Sequence, residues 1–229
     1  MTPAINFPQI GGGRKVYIVG GATADEETIF TNRGFEIAKS APSADIFVWT
    51  GGQDIHPMLY GELPMQSTHW TQRRDEYEVF MYQIAQSMNK PKLGICRGGQ
   101  LLNVLSGGKL WQHVDNHGGR VHPVFDPRTK FETVINSVHH QMMRPPKDAI
   151  VCGVARESTF HEGEVLIERN INKAGNDDIE CVWIPRTQSL CFQAHPEYGH
   201  PLTTAFFFKL VEEFLPYQPK LIQDHSVHN

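Results

Sequence analysis

The chain has 229 residues, 40% of them apolar and 20% charged, the proportions of a soluble globular protein with enough length for one substantial core. A formal net charge of −4 excludes a general basic surface for nucleic acid, and no apolar run is long enough to cross a bilayer. Four cysteines without disulfide or zinc-site spacing fit a reducing compartment and residues 1–13 lack a signal core, so the expectation is one cytoplasmic domain over 14–217, with tails at 1–13 and 218–229.

Gly11-Gly12-Gly13 reads as a flexible lead-in. Lys15–Val19 is a short apolar run ending at Gly20-Gly21, a first core strand. Glu26–Ser40 reads as a helix with Asp25 as N-cap and Ile29, Phe30, Phe35, Ile37 and Ala38 toward one side. Asp45–Thr50 is the next buried strand, stopped by Gly51-Gly52. A glycine pair at the carboxyl end of a parallel strand suits a tight turn, and equally a ligand site where a bare N–H can face an oxyanion. The helix entered at Thr71 runs to about Met88, and Tyr77, Phe80, Met81, Ile84, Ala85 and Met88 recur at helical spacing as its core face.

From Pro91 the pattern is an apolar strand, one cysteine, then small residues opening a helix that runs to about Ser106. Gly94-Ile95-Cys96-Arg97-Gly98 has the G-x-nucleophile-x-G form of a nucleophile elbow, with sulfur replacing a serine oxygen. A sharp strand-to-helix bend strains its central residue, and small neighbours relieve the crowding. The helix N-terminus behind the sulfur favours a thiolate. The alternation of strand and helix up to this point is the signature of a parallel sheet covered on both faces.

Beyond Lys109 the texture changes to short strands and polar turns: Leu110–Val114, Val121–Phe125, Glu132–Asn136, Ala149–Val154, Val165–Glu168, Ile179–Ile184 and Leu190–Ala194. His139–Met143 reads as irregular or briefly helical, Lys173–Asp178 as a polar turn, Leu202–Leu215 as a closing helix and Gln218–Asn229 as a loose tail. The fold class is therefore α/β, a mostly parallel central sheet flanked by helices, with a small antiparallel subregion. Cys152, Cys181 and Cys191 lie in apolar strands and read as core. In Gln193-Ala194-His195-Pro196-Glu197-Tyr198, His195 and Glu197 are two apart, so an extended segment projects both to one side. A carboxylate can then hold one imidazole nitrogen and leave the other for a thiol. His139 and His140 are adjacent, point to opposite sides of an extended segment and make no metal pair; no metal ligands are expected.

Gly94-Ile95-Cys96-Arg97-Gly98-Gly99-Gln100-Leu101-Leu102-Asn103 together with Gln193-x-His195-Pro196-Glu197 resembles the class I glutamine amidotransferase superfamily. Thr50-Gly51-Gly52-x-Asp54-Ile55-x-Pro57-x-x-Tyr60-Gly61-Glu62, Arg74-Asp75-x-x-Glu78 and Asn136-Ser137-Val138-His139-His140-Gln141 are similar to its γ-glutamyl-γ-aminobutyrate hydrolase branch. The resemblance spans about Trp49 to Tyr198 and implies the flavodoxin-like amidotransferase fold. It implies a Cys96–His195–Glu197 triad, an oxyanion hole from the N–H groups of Gly52 and Arg97, and substrate contacts from Gly51, Gln100, Asn136, Ser137, Val138, His139 and His140. It implies no metal or organic cofactor. The family's Gly-Met-Gln after the arginine is Gly98-Gly99-Gln100 here, the region between His122 and Asn136 is shorter than usual, and Gly20–Thr31 matches poorly.

Three functions follow in order. The first is a free-standing cysteine-dependent hydrolase of γ-glutamyl amides, working through a γ-glutamyl thioester on a small-molecule γ-glutamyl amide or glutamine. The second is a glutaminase component delivering ammonia to a separate synthetase partner. The third is a non-catalytic binding module on the same fold. A homodimer is compatible with each; nucleic acid and membrane are not expected partners.

Overall fold

The computed structural model describes residues 8–158, 160–162, 167–168 and 178–216. The first half alternates as expected: β1 (Lys15–Ile18), α1 (Ala24–Thr31), β2 (Glu36–Ile37), β3 (Ile46–Trp49), α2 (Gln72–Ser87), β4 (Lys92–Ile95) and α3 (Arg97–Leu105). The second half is β5 (Lys109–Trp111), β6 (His113–Val114), β7 (Arg120–Asp126), β8 (Phe131–Ser137), β9 (Met142–Arg144), β10 (Ile150–Ala155), β11 (Phe160–Glu162), β12 (Ile167–Glu168), β13 (Asp178–Ile184), β14 (Ser189–Phe192) and α4 (Pro201–Phe214).

One sheet runs β2-β1-β3-β4-β14-β13-β10-β7-β8. Its neighbours from β2 through β14 are parallel, and every pairing from β14 to β8 is antiparallel. The antiparallel strands β13, β10, β7 and β8 thus continue the main sheet, while β12-β11-β6 and β5-β9 form two smaller antiparallel sheets. Both faces of the parallel half are covered, which is why β3, β4 and β14 are buried at every residue instead of alternating. On one face Phe30, Phe35, Phe192, Phe206, Phe207 and Phe208 form an aromatic core; on the other, Phe47, Trp49, Met81, Ala85, Leu101 and Leu102 pack together. Cys152, Cys181 and Cys191 are buried among these strands, as expected. Among the described residues no helix is long and apolar enough to cross a membrane.

Several local expectations are corrected. The helix expected over 26–40 ends at Thr31, because Gly34 turns the chain at φ +78° and Glu36–Ile37 then pairs with β1. Its N-cap is Thr23, not Asp25: Thr23 and Glu26 exchange side-chain and backbone hydrogen bonds in a capping box. Gly11–Gly13 is tied down, since the N–H groups of Gly11 and Gly13 donate to the carbonyls of Arg33 (2.8 Å) and Gly34 (2.9 Å). His139–Met143 is not helical, because Met142–Arg144 forms β9 and pairs with β5. The core face of α2 is also rotated: Tyr77 and Phe80 are 41% and 56% exposed, while Asp75, Glu78, Met81 and Ala85 are buried. The turn expected at 173–178 falls almost wholly, and the tail at 218–229 wholly, outside the described residues.

A Cβ on Gly98 would lie 2.3 Å from the Trp49 carbonyl oxygen, whereas one on Gly118 meets nothing within 4 Å. Gly98→Ala should therefore destabilise the fold by about 1–3 kcal/mol in urea unfolding, and Gly118→Ala by less than about 0.5 kcal/mol.

Candidate active site

Three loops leave the carboxyl edge of the sheet side by side, because β3, β4 and β14 are parallel neighbours. Trp49 pairs with Gly94 and Phe192 with Ile95, so Gly51-Gly52, Cys96-Arg97 and Gln193–Glu197 all emerge within a few residues of the last pairing. These are the candidate oxyanion loop, the elbow and the His-x-Glu segment, brought together by register alone.

Cys96 sits at φ 51°, ψ −114°, between the last residue of β4 and the first of α3. A non-glycine residue there carries strain of about 1–3 kcal/mol, held by the packing around it. The glycines make that packing feasible. A Cβ on Gly94 would lie 2.5 Å from Gly98 O and Gly99 N, and one on Gly98 would strike Trp49, so strand, elbow and β3 approach at backbone contact. The Arg97 N–H opens α3 and has no intrahelical acceptor, which leaves it available to a ligand.

Imidazole and carboxylate complete the site. His195 Nδ1 is 2.6 Å from Glu197 Oε1, which leaves Nε2 for a thiol, and Cys96 is near enough to favour the charged ring. Burial opposes charge on His195, but Cys96 and Glu197 beside it overcome that and push the imidazole up to about 10. The ring is stacked by Tyr198, with centroids 4.3 Å apart and planes 10° apart. Gly51 must lack a side chain, since a Cβ there would lie 2.5 Å from His195 Cε1. Asn136 clamps the main chain of His195, donating to its carbonyl at 2.7 Å and accepting from its N–H at 2.9 Å.

Further side chains support this centre, some in contacts other than those expected of them. The Gln193 amide donates to Cys96 Sγ at 3.8 Å, and Gln100 donates to Gln193 Oε1 at 3.3 Å and is buried behind it. The Arg97 guanidinium turns away from the sulfur into the interior and pairs with both Asp75 and Glu78. Arg74 pairs with Glu78 at 2.7 Å and donates to the Gly51 carbonyl at 2.8 Å, and a Cβ on Gly52 would lie 2.0 Å from its Nη1. Two arginines and two carboxylates thus bind the glycine loop to the elbow with no net charge. The resemblance pointed at Arg74, Asp75 and Glu78 without saying why; their i, i+1, i+4 spacing on a helix whose buried face is polar is the signal.

The remaining candidates divide. Ser137 and His139 turn inward and are buried, Ser137 donating to the His117 carbonyl at 2.7 Å. Both lie on the same side of the chain, opposite Val138. Val138, between them, is 43% exposed. His140 is 3.0 Å from Asp54, whose carboxylate raises it above the ordinary imidazole value. Beyond Gly51, on the side away from α3, an open cleft of about 890 Å³ is lined by residues including Gly20, Gly21, Glu26, Arg73, Arg74 and Tyr77. Cys96 itself keeps 6% of its surface and His195 5%, at the floor of the carboxyl edge.

The profile of the Peptidase C26 family matches residues 29–130. The glutamine amidotransferase-like protein YvdE of Lactococcus lactis subsp. lactis is 30% identical over 164 residues, covering 61% of this chain and 67% of that protein. Protein NtpR of Enterococcus hirae is 42% identical over 195 residues, 74% of this chain and 75% of that one. A glutamine amidotransferase of Thermotoga maritima shares the fold, with a TM-score of 0.57 over 89% of this chain and 84% of its own at 13% identity.

Removing Glu78 leaves two guanidiniums, one of them the buried Arg97, to share the single carboxylate of Asp75. Glu78→Ala should lower the unfolding free energy by about 3–5 kcal/mol, measured by urea denaturation, while Glu76→Ala on the exposed face should cost less than about 0.5 kcal/mol.

Proposed function

Since this chain belongs to the class I glutamine amidotransferase-like superfamily, we propose that it is a hydrolase of γ-glutamyl amide bonds that uses Cys96, His195 and Glu197 as its triad. The observation that carries the reading is His195, held by Glu197 at 2.6 Å, with Cys96, at positive φ on an elbow, near enough to favour its charged form. In this scheme the thiol proton resides on His195 Nε2, and the sulfur attacks the side-chain carbonyl carbon of the substrate. The N–H groups of Gly52 and Arg97 receive the developing oxyanion. Collapse breaks the C–N bond as His195 gives its proton to the departing amine, leaving a γ-glutamyl thioester on Cys96. Water then gives a proton to His195 and attacks the thioester; glutamate departs and the proton and thiolate pair is restored. Gln193, oriented by Gln100, supports charge on the sulfur, and Asn136 fixes the height of the imidazole.

Substrate contacts are assigned to Gly51, which lies against His195, and to the more accessible Val138 and His140 ahead of the buried Ser137 and His139. The test is a steady-state comparison of the free protein on glutamine, γ-glutamyl-γ-aminobutyrate and γ-glutamylputrescine. Turnover of the secondary amides supports the hydrolase; silence until a synthetase is added supports ammonia delivery instead. Cys96→Ala should lower kcat by at least about 10³-fold, and a fully active Cys96→Ala protein refutes the scheme.

The raised pKa of His195 has a direct sign. Its ring should stay protonated at neutral pH and lose the proton only as pH rises through about 10. A histidine NMR titration should show this midpoint in the wild type and lower midpoints in Glu197→Gln and Cys96→Ala, each of which removes a partner that favours the charged ring.

A further inference from the structure

Away from Cys96, three imidazoles and a carboxylate converge in the interior. His117 precedes β7, His122 lies on it, His139 follows β8 and Glu180 is on β13, and one ligand atom from each lies within 4.8 Å of all the others. Each ring has its outer nitrogen against an oxygen that can only accept. His117 Nε2 is 3.3 Å from Asp178 Oδ2, His139 Nδ1 is 2.9 Å from the Gln141 carbonyl, and His122 Nδ1 is 3.3 Å from the Pro123 carbonyl. A ring that carries its proton at that outer contact presents a lone pair inward, from His117 Nδ1, His122 Nε2 and His139 Nε2.

What they face is Glu180, at 3.2, 3.4 and 3.6 Å respectively. Both Glu180 oxygens and the inward nitrogens of His122 and His139 are buried without a hydrogen-bond partner. Ser137 Oγ is 3.3 Å from His117 Nδ1, but its proton goes to the His117 carbonyl. Acceptors converging on acceptors in a dry interior repel one another unless a cation or added protons occupy the middle.

We propose that His117, His122, His139 and Glu180 form a buried site for one divalent transition-metal ion, Zn²⁺ by ligand preference. Three imidazoles and one carboxylate suit a tetrahedral borderline ion, whose four ligands at ~2.0 Å stand about 3.3 Å apart, close to the separations from Glu180. Asp178 and Glu180, two apart on β13, project to the same side: one supplies a ligand and the other orients His117. Their two charges balance a divalent ion. The four side chains are almost wholly buried, so the site has no open position and holds structure rather than substrate. Its place matters to the reaction. His139 is three residues from Asn136, the clamp on His195, and the Glu180 carbonyl accepts from the Gln193 N–H at 2.8 Å.

The test uses the full chain with Zn²⁺ alone as probe. Protein grown with zinc should carry about one equivalent after dialysis, and crystals should show an anomalous peak among the four side chains. Stripping the ion should lower the thermal midpoint by about 5–10 °C, restored by zinc at a hundred times its Kd. Asp178→Asn should weaken zinc binding about 10–100-fold, and His122→Gln should abolish it. Cys96→Ala should keep the ion, which separates this site from the proposed hydrolysis. A zinc-treated crystal with no peak at the four side chains means that protons fill the centre, and overturns the proposal whatever the bulk metal content.

Discussion

Cys96 is held in a backbone conformation that its side chain disfavours, and the arrangement around it follows from that constraint. A bend this tight exists only if the strand before it, the helix after it and the neighbouring strand come to backbone contact. Gly94, Gly98 and Gly99 provide the room, with a Cβ on Gly98 excluded by Trp49 and one on Gly94 by the elbow itself. The same bend points the sulfur off the sheet edge and puts it at the first turn of α3, whose opening N–H groups have no helical partner. Backbone strain, sulfur position and anion-binding capacity are therefore one feature with three consequences.

Parallel register does the rest of the positioning. Gly51-Gly52, Cys96 and His195 come from segments far apart in sequence, yet each lies just past the end of one of three adjacent strands. Long-range order within the edge then rests on polar groups. The Arg97 guanidinium, expected to matter for its N–H alone, is buried against Asp75 and Glu78 and joins the elbow to α2, while Arg74 extends the same network to the carbonyl of Gly51. Such a quartet stabilises little compared with an apolar core, but it is directional, and losing one member is costly. It fixes the glycine loop against the elbow in a way that close-packed hydrocarbon would not.

The sequence was most legible where a residue's role is written in small spacings. The elbow glycines, the His195–Glu197 interval, the alternating strands and helices and the core cysteines could all be read directly. Legibility failed where tertiary contacts override local pattern. Tyr77 and Phe80 carry the helical period of α2, but the buried stripe holds Asp75 and Glu78 because Arg97 waits beneath it. Met142–Arg144 became a strand through pairing with β5, a partner about thirty residues earlier that local propensity does not reveal. Asn136, expected at substrate, has a second task that its sequence position does not reveal, gripping the His195 main chain with its amide. The histidine cluster was invisible for the same reason: His117, His122, His139 and Glu180 share no motif, and only the sheet order β13-β10-β7-β8 brings them to one point.

The central claim is that Cys96 becomes acylated by a γ-glutamyl group. The direct measurement is acid quenching of the wild-type enzyme during turnover of a γ-glutamyl amide, followed by peptide mass spectrometry. A γ-glutamyl adduct on the peptide containing Cys96, absent without substrate, is the predicted result. Substrate consumption with Cys96 unmodified, or with the adduct on Cys152, Cys181 or Cys191, would contradict it.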